Sequence, residues 1–148
     1  MNSYRQILYH IVFCTHDRNN TLPIDKHEEL YKYIWGIIKN RNGVLYQING
    51  MENHIHILSD LHPTVSLADF IKDIKTGSNL WMKPSGNFPA FSSWAAGYAA
   101  LTYSFKDKNI LVNYIRNQKQ HHKKITFEDE YRTMLTEAGI KWDEKYLF

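Results

Sequence analysis

Residues 51–59 read MENHIHILS and residues 44–49 read VLYQIN, so two short apolar runs are separated by a Gly50-led turn. The second run alternates. In a strand, His54, His56 and Leu58 share one face, while Ile55, Ile57 and Ser59 share the other. The isoleucines suit a core, and both imidazoles then point to the opposite side. Residues 44–49 and 54–58 are predicted to form a hairpin across the turn at 50–53.

Working outward, residues 4–15 are dense in Ile, Val, Tyr and Phe and predict a first strand. Asp25 is placed to cap a helix over 26–40, where Leu30, Ile34, Ile37 and Ile38 recur at helical spacing. Asn42 and Gly43 supply its stop. Ser66 predicts the next cap, with Asp69 three residues on and Leu67, Phe70, Ile71 and Ile74 on one face. Two prolines and a glycine make 83–91 a loop, and 94–103 reads as a further strand. The order strand, helix, strand, strand, helix, strand predicts an α+β, ferredoxin-like (RRM-like) four-stranded antiparallel sheet with two covering helices. Two more helices are expected at 108–121 and at Phe127–Glu137, the latter capped by Thr126 and stopped by Gly139; the sheet's open face is the place left for them.

The chain of 148 residues suits a single domain spanning 1–148 with a substantial core. Its net charge of +3 permits contact with polyanions without requiring it. Cys14 is the sole cysteine, which excludes an internal disulfide and a Cys-rich zinc site. With no signal-peptide pattern and no apolar run of membrane-spanning length, a soluble cytoplasmic protein is expected.

Two neutral imidazoles on one strand face can bind a divalent cation, with carboxylate, amide or water oxygens completing the shell. Mg²⁺ or Mn²⁺ there would polarise a phosphodiester, and zinc also satisfies the ligand chemistry. An HxH triplet alone suits polar surface residues equally well. The second constellation, NYIRNQKQHHKK at 113–124, shifts the balance: Ile110, Leu111, Tyr114, Gln118, His121 and His122 share a helical face. A buried amide needs polar partners, so Gln118 fits an apolar stripe poorly. Where this stripe meets the histidine face, Gln118 can be a third ligand and Tyr114 can present its hydroxyl to the same phosphate. Viewed on that helix alone, Tyr114 reads first as a core aromatic beside a hydrogen-bonding glutamine.

Together these motifs resemble the single-tyrosine HUH transposases of the IS200/IS605 type. HIH at 54–56 matches the histidine–hydrophobic–histidine motif, and YIRNQ at 114–118 matches the nucleophile and third-ligand motif. The likeness extends to WAAGYAALTYS at 94–104, NQKQHHKKITFEDEY at 117–131 and DEKYLF at 143–148. The resemblance implies Tyr114 as catalytic nucleophile and His54, His56 and Gln118 as ligands of Mg²⁺ or Mn²⁺. It also implies single-stranded DNA with imperfect hairpins as partner, a 5′-phosphotyrosine intermediate, and a homodimer whose active sites can form in trans. Ala95 and Ala99 depart from the glutamine and glycine frequent in close relatives, without touching these four residues.

Arg116, Lys119, His121, His122, Lys123 and Lys124 are candidate phosphate contacts, although a solvated basic helix end has the same composition. Lys72, Lys75, Asn79 and Lys83 form a second polar surface. Trp94 is expected in the core, Tyr98 is a candidate stacking residue, and His10 a core or edge histidine. Glu52 and Asp60 flank the histidine strand as candidate orienting groups. Competing readings are a related nicking or replication-initiation endonuclease and a non-catalytic hairpin-binding module.

Overall fold

A computed structural model describes residues 2–148. Strands β1 (Tyr9–Cys14), β2 (Leu45–Gly50), β3 (His54–Ser59) and β4 (Ala99–Thr102) form one antiparallel sheet in the order β2-β3-β1-β4. Helices α1 (His27–Asn40) and α2 (Leu67–Ser85) follow β1 and β3. This is the ferredoxin-like arrangement expected from the sequence.

The inward face of the sheet carries Ile11, Phe13, Ile55 and Ile57. They bury against Leu30, Ile34 and Ile38 of α1 and Phe70, Ile71 and Ile74 of α2. Trp94 completes this core as expected, edge-on to Phe13 at 4.9 Å, with its indole N–H donating to Ser78 Oγ at 3.0 Å. Ser66 caps α2 by accepting from the Asp69 backbone N–H.

Several boundaries differ from expectation. The strand predicted over 4–15 begins at Tyr9, because β3 and β4 both reach their last paired residue there, at Ser59 and Thr102. Without a partner strand, Tyr4 is exposed. The strand predicted over 94–103 shrinks to Ala99–Thr102. Trp94 makes one isolated bridge to Thr15, and the carbonyls of Ala95, Ala96 and Gly97 turn to the Lys75 ammonium at 2.8, 3.3 and 2.9 Å.

The loop predicted from residue 83 begins later. Helix α2 carries Pro84 in its last turn and stops where Gly86 takes the left-handed conformation at φ 75°. Asp25 does not cap α1; it lies in a single 3₁₀ turn, Ile24–Lys26. The buried His27 ring instead ties the helix start to the Leu22 carbonyl at 2.9 Å. At the other end Asn42, not Gly43, takes the left-handed turn at φ 59°. Gly43 packs so closely that a Cβ would meet Ile38 Cγ2 at 2.9 Å.

The opposite face of the sheet is covered by the C-terminal helices. The helix predicted over 108–121 divides at Asn117 into α3 (Lys108–Arg116) and α4 (Gln118–His121), and α5 spans Phe127–Glu137. Thr126 caps α5 through Asp129 N–H, and Gly139, at φ 74°, follows its end. Leu111 and Ile115 of α3 pack on Leu8 and Leu58. Phe127, Tyr131 and Leu135 of α5 pack on Val12, Cys14 and Ala99, with Ala95 at the border. The alanines at 95 and 99 thus admit α5 close to the sheet. Strand β3 is consequently buried on both faces, and its histidines lie between two apolar clusters. No helix among the described residues is long and apolar enough to cross a membrane.

Candidate active site

The period-two geometry of β3 sends Ile55 and Ile57 into the α1–α2 core and both His54 and His56 to the other side, fully buried. Each ring is fixed from behind. His54 Nδ1 donates to the side-chain carbonyl of Asn53 at 2.8 Å. His56 Nδ1 meets His10 Nε2 at 2.8 Å, and the two rings stack with centroids 5.1 Å apart. The Nε2 atoms of His54 and His56 are thereby left facing the C-terminal helices. His10 is a buried histidine, as expected, but it also positions His56.

The α3–α4 segment delivers the other face. Gln118 is fully buried, its amide oxygen 3.2 Å from His54 Nε2 and its amide nitrogen donating to Glu130 Oε2 at 2.9 Å. Tyr114, one turn earlier, donates its hydroxyl hydrogen to the same Glu130 Oε2. The Tyr114 ring lies 5.9 Å from that of His56. His122 donates Nδ1–H to the Ile125 carbonyl at 2.9 Å and aims Nε2 at Glu130 Oε1, 3.0 Å away. His121 Nε2 stands 3.4 Å from Glu130 Oε2. One chain therefore brings all four of Tyr114, His54, His56 and Gln118 together.

Glu130 at the centre was not singled out from the sequence. It is 2 % exposed, and its Oε1 lies 3.5, 3.1 and 3.0 Å from Nε2 of His54, His56 and His122. A signal was present: Glu130 lies on the α5 stripe with Phe127, Tyr131 and Met134, and a carboxylate in such a stripe needs strong partners.

Burial pushes the Glu130 carboxyl upward, but the close imidazoles of His122, His54 and His56 outweigh it and hold the group well below the usual carboxylate range. Burial lowers His54 to about 4 and His10 to about 3. Burial first, then the Glu130 charge, raises the Tyr114 phenol well above its ordinary value. The phenol is therefore protonated at neutral pH and needs nearby positive charge to become a nucleophile.

One donor atom from each of His54, His56, His122 and Glu130 lies within 4.8 Å of the other three, so this buried group can hold a divalent metal. A cavity of about 360 Å³ lined by His10, Tyr103, Ile110, Tyr114, His121 and Glu130 lies against the tyrosine.

Residues 3–118 match the family model described as Transposase IS200 like. The chain belongs to the IS200-like transposase family. No curated protein matches it. Among solved structures, the IS200-like chain is similar to a candidate transposase from Deinococcus radiodurans R1, at 24% identity and TM-score 0.61, covering 80% of this chain and 95% of that one. It is also similar to a REP-associated tyrosine transposase bound to a REP hairpin, at 16% identity and TM-score 0.61, covering 84% and 76% of the two chains. These two likenesses concern the fold.

The remaining predicted residues of this IS200-like transposase separate by environment. Arg116, Lys123 and Lys124 are exposed. Lys119 is half-buried and donates to Asn49 Oδ1 at 2.7 Å and to the Gly50 carbonyl at 3.4 Å, tying α4 to the edge strand β2. Lys75 holds the 95–97 carbonyls, whereas Lys72 and Lys83 are exposed, as is Tyr98. Asp60 accepts from the Val44 backbone N–H at 2.7 Å, and the Glu52 carbonyl accepts from Thr21 and Leu22. Orientation of His54 comes from neither acid; it comes from Asn53, the residue beside it.

Proposed function

We propose that this IS200-like transposase cleaves and rejoins single-stranded DNA at hairpin-bearing element ends, with Tyr114 as the nucleophile. The observation that carries this reading is the Tyr114 hydroxyl hydrogen-bonded to a carboxylate whose other oxygen sits among three imidazole nitrogens. A core tyrosine has no need of such a neighbourhood, and a hairpin-binding module has no use for it.

In the forward step Tyr114 Oη attacks phosphorus and the bond from phosphorus to the 3′ oxygen breaks. The phenolic proton leaves along the hydrogen bond to Glu130, and the departing 3′ oxygen gains a proton. The products are a 5′-phosphotyrosine link and a free 3′-OH. Because the phosphodiester bond energy is retained, attack by a 3′-OH reverses the step without ATP. His54, His56 and Gln118 would hold Mg²⁺ or Mn²⁺, which would polarise the phosphodiester oxygen and offset transition-state charge. Arg116, Lys123 and Lys124 face solvent beside this segment and suit contacts to the DNA backbone rather than to bases. The hairpin partner is supported by the fold shared with the REP-associated transposase.

Purified protein is incubated with Mg²⁺ or Mn²⁺ and labelled single strands from its flanking genomic DNA. A protein–DNA adduct that survives denaturation, and is lost in Tyr114→Phe, is the expected result. Cleavage that persists in Tyr114→Phe rejects the nucleophile, and binding without cleavage favours the module. The homodimer implied by the resemblance would let α3 and α4 of one copy serve the histidines of another. Mixing Tyr114→Phe with a His54→Ala/His56→Ala variant decides this point: recovered cleavage means exchange between chains, and none means sites built within one chain.

A further inference from the structure

We propose that His122 and Glu130 are themselves metal ligands, so that the metal centre is a three-histidine, one-carboxylate site rather than the strand histidines with glutamine alone. Both residues lie beyond position 118, where the family match ends. The proposal deepens the metal assignment above and rests on the sheet histidines being a metal site. It does not depend on the tyrosine chemistry.

A carbonyl oxygen can only accept, so the imidazole nitrogen that meets it must carry the hydrogen. His54 Nδ1 meets the Asn53 side-chain carbonyl, and His122 Nδ1 meets the Ile125 carbonyl. In the neutral rings both Nε2 atoms are therefore bare lone pairs. His54 Nε2 nevertheless faces Gln118 Oε1 at 3.2 Å and Glu130 Oε1 at 3.5 Å, and His122 Nε2 faces Glu130 Oε1 at 3.0 Å. The Gln118 amide is oriented by its N–H donating to Glu130 Oε2, which leaves its oxygen toward His54.

Acceptors thus converge on acceptors in a buried site. A cation between them satisfies all of these lone pairs at once. The Nδ1–H bonds to carbonyl oxygens are also the usual outer support of a metal-bound histidine. His56 completes the pattern: with Nε2 on the metal, its Nδ1–H donates to His10 Nε2 at 2.8 Å. His10 Nδ1, buried without a partner, is then the end of that chain.

The spacing agrees. Neighbouring donors around a first-row metal with bonds of about 2.0–2.2 Å stand roughly 3.0–3.5 Å apart, which is the range separating Glu130 Oε1 from the three Nε2 atoms. Gln118 keeps its oxygen toward the same point while its amide N–H orients Glu130. Three imidazoles favour a transition metal over Mg²⁺.

The test uses the full chain loaded with Co²⁺ and, separately, with Mn²⁺. In wild-type protein with Co²⁺, three exchangeable ring N–H resonances shifted by the metal are expected, one for each histidine ligated through Nε2. Two such resonances, or no uptake of either ion, overturn the proposal. In a second measurement Mn²⁺ affinity falls roughly 10–100-fold or more in Glu130→Gln and in His122→Gln, with Mg²⁺ bound more weakly than Mn²⁺ by wild type. Both variants folded by circular dichroism and binding Mn²⁺ like wild type, while His56→Gln loses it, overturn it as well. Failure of the DNA adduct assay with metal binding intact would instead count against the tyrosine reading.

Discussion

The Tyr114 hydroxyl and the Glu130 carboxylate, 16 residues apart on different helices, are hydrogen-bonded to each other at the centre of the buried sheet face. Glu130 also receives Gln118 and faces three imidazoles, so it has several partners besides the phenol. The Tyr114 ring packs independently against the Leu8, Leu58, Leu111 and Ile115 cluster. Tyr114→Phe should accordingly keep the fold, with a stability change within about 1 kcal/mol, while abolishing covalent DNA attachment. Denaturant unfolding checks the first part, and a loss of several kcal/mol would make the phenol a structural keystone instead.

Asn53 orients His54 from outside the cluster. Asn53→Ala should weaken Mn²⁺ binding roughly 10–100-fold with little change in secondary structure. Calorimetric titration against wild type measures it. Equal affinity would show that packing against Phe127, whose ring stacks on His54 at 4.2 Å, holds the imidazole without help.

Acid should destabilise the metal-free protein before its ordinary carboxylates titrate. Burial holds His54 at about 4 and His10 at about 3 in the folded state, against about 6.5 for a free imidazole. The unfolded chain therefore binds protons that the folded chain refuses. The stabilisation is complete above pH 6.5 and is lost as pH falls toward 4, by about 3 kcal/mol from His54 alone. The Glu130 carboxyl, held low, adds a further loss below its ordinary range. Melting temperature between pH 7.5 and 4 gives the slope, and a flat profile down to pH 5 would contradict it.

Lys119 and its neighbours Lys123 and Lys124 should behave differently. Lys119→Met removes a half-buried ammonium from Asn49 and Gly50 and should cost about 1 kcal/mol of stability. Lys123→Ala and Lys124→Ala remove exposed charges, leave stability nearly unchanged, and should each reduce the salt dependence of DNA binding. Unfolding curves beside binding isotherms at several salt concentrations separate the two classes.

Much of the fold was legible because alternation and helical spacing are local. The hairpin around residue 50, the Ser66 and Thr126 caps and the extent of Phe127–Glu137 all came from residues within one element. Strand ends were less legible, because a strand continues only while a neighbour offers hydrogen bonds. That is why residues 4–8 lie outside β1 and why the 95–97 carbonyls serve Lys75 instead. The site divides in the same way. Tyr114 and Gln118 share a helix and His54 and His56 share a strand, so each pair could be read alone. Glu130 belongs to neither motif, and its partners come from β3, α3 and the segment after it.

By itself, the sequence determined which side chains share a face: two imidazoles opposite two isoleucines, and a phenol one turn from an amide. Covalent spacing and backbone periodicity suffice for that. The tertiary structure alone decided that these faces meet, and that a carboxylate from the last long helix stands between them. Packing α3 and α5 on the open sheet face sets the distances across the site. It also excludes the water that would otherwise solvate a lone carboxylate, and no local pattern encodes either effect.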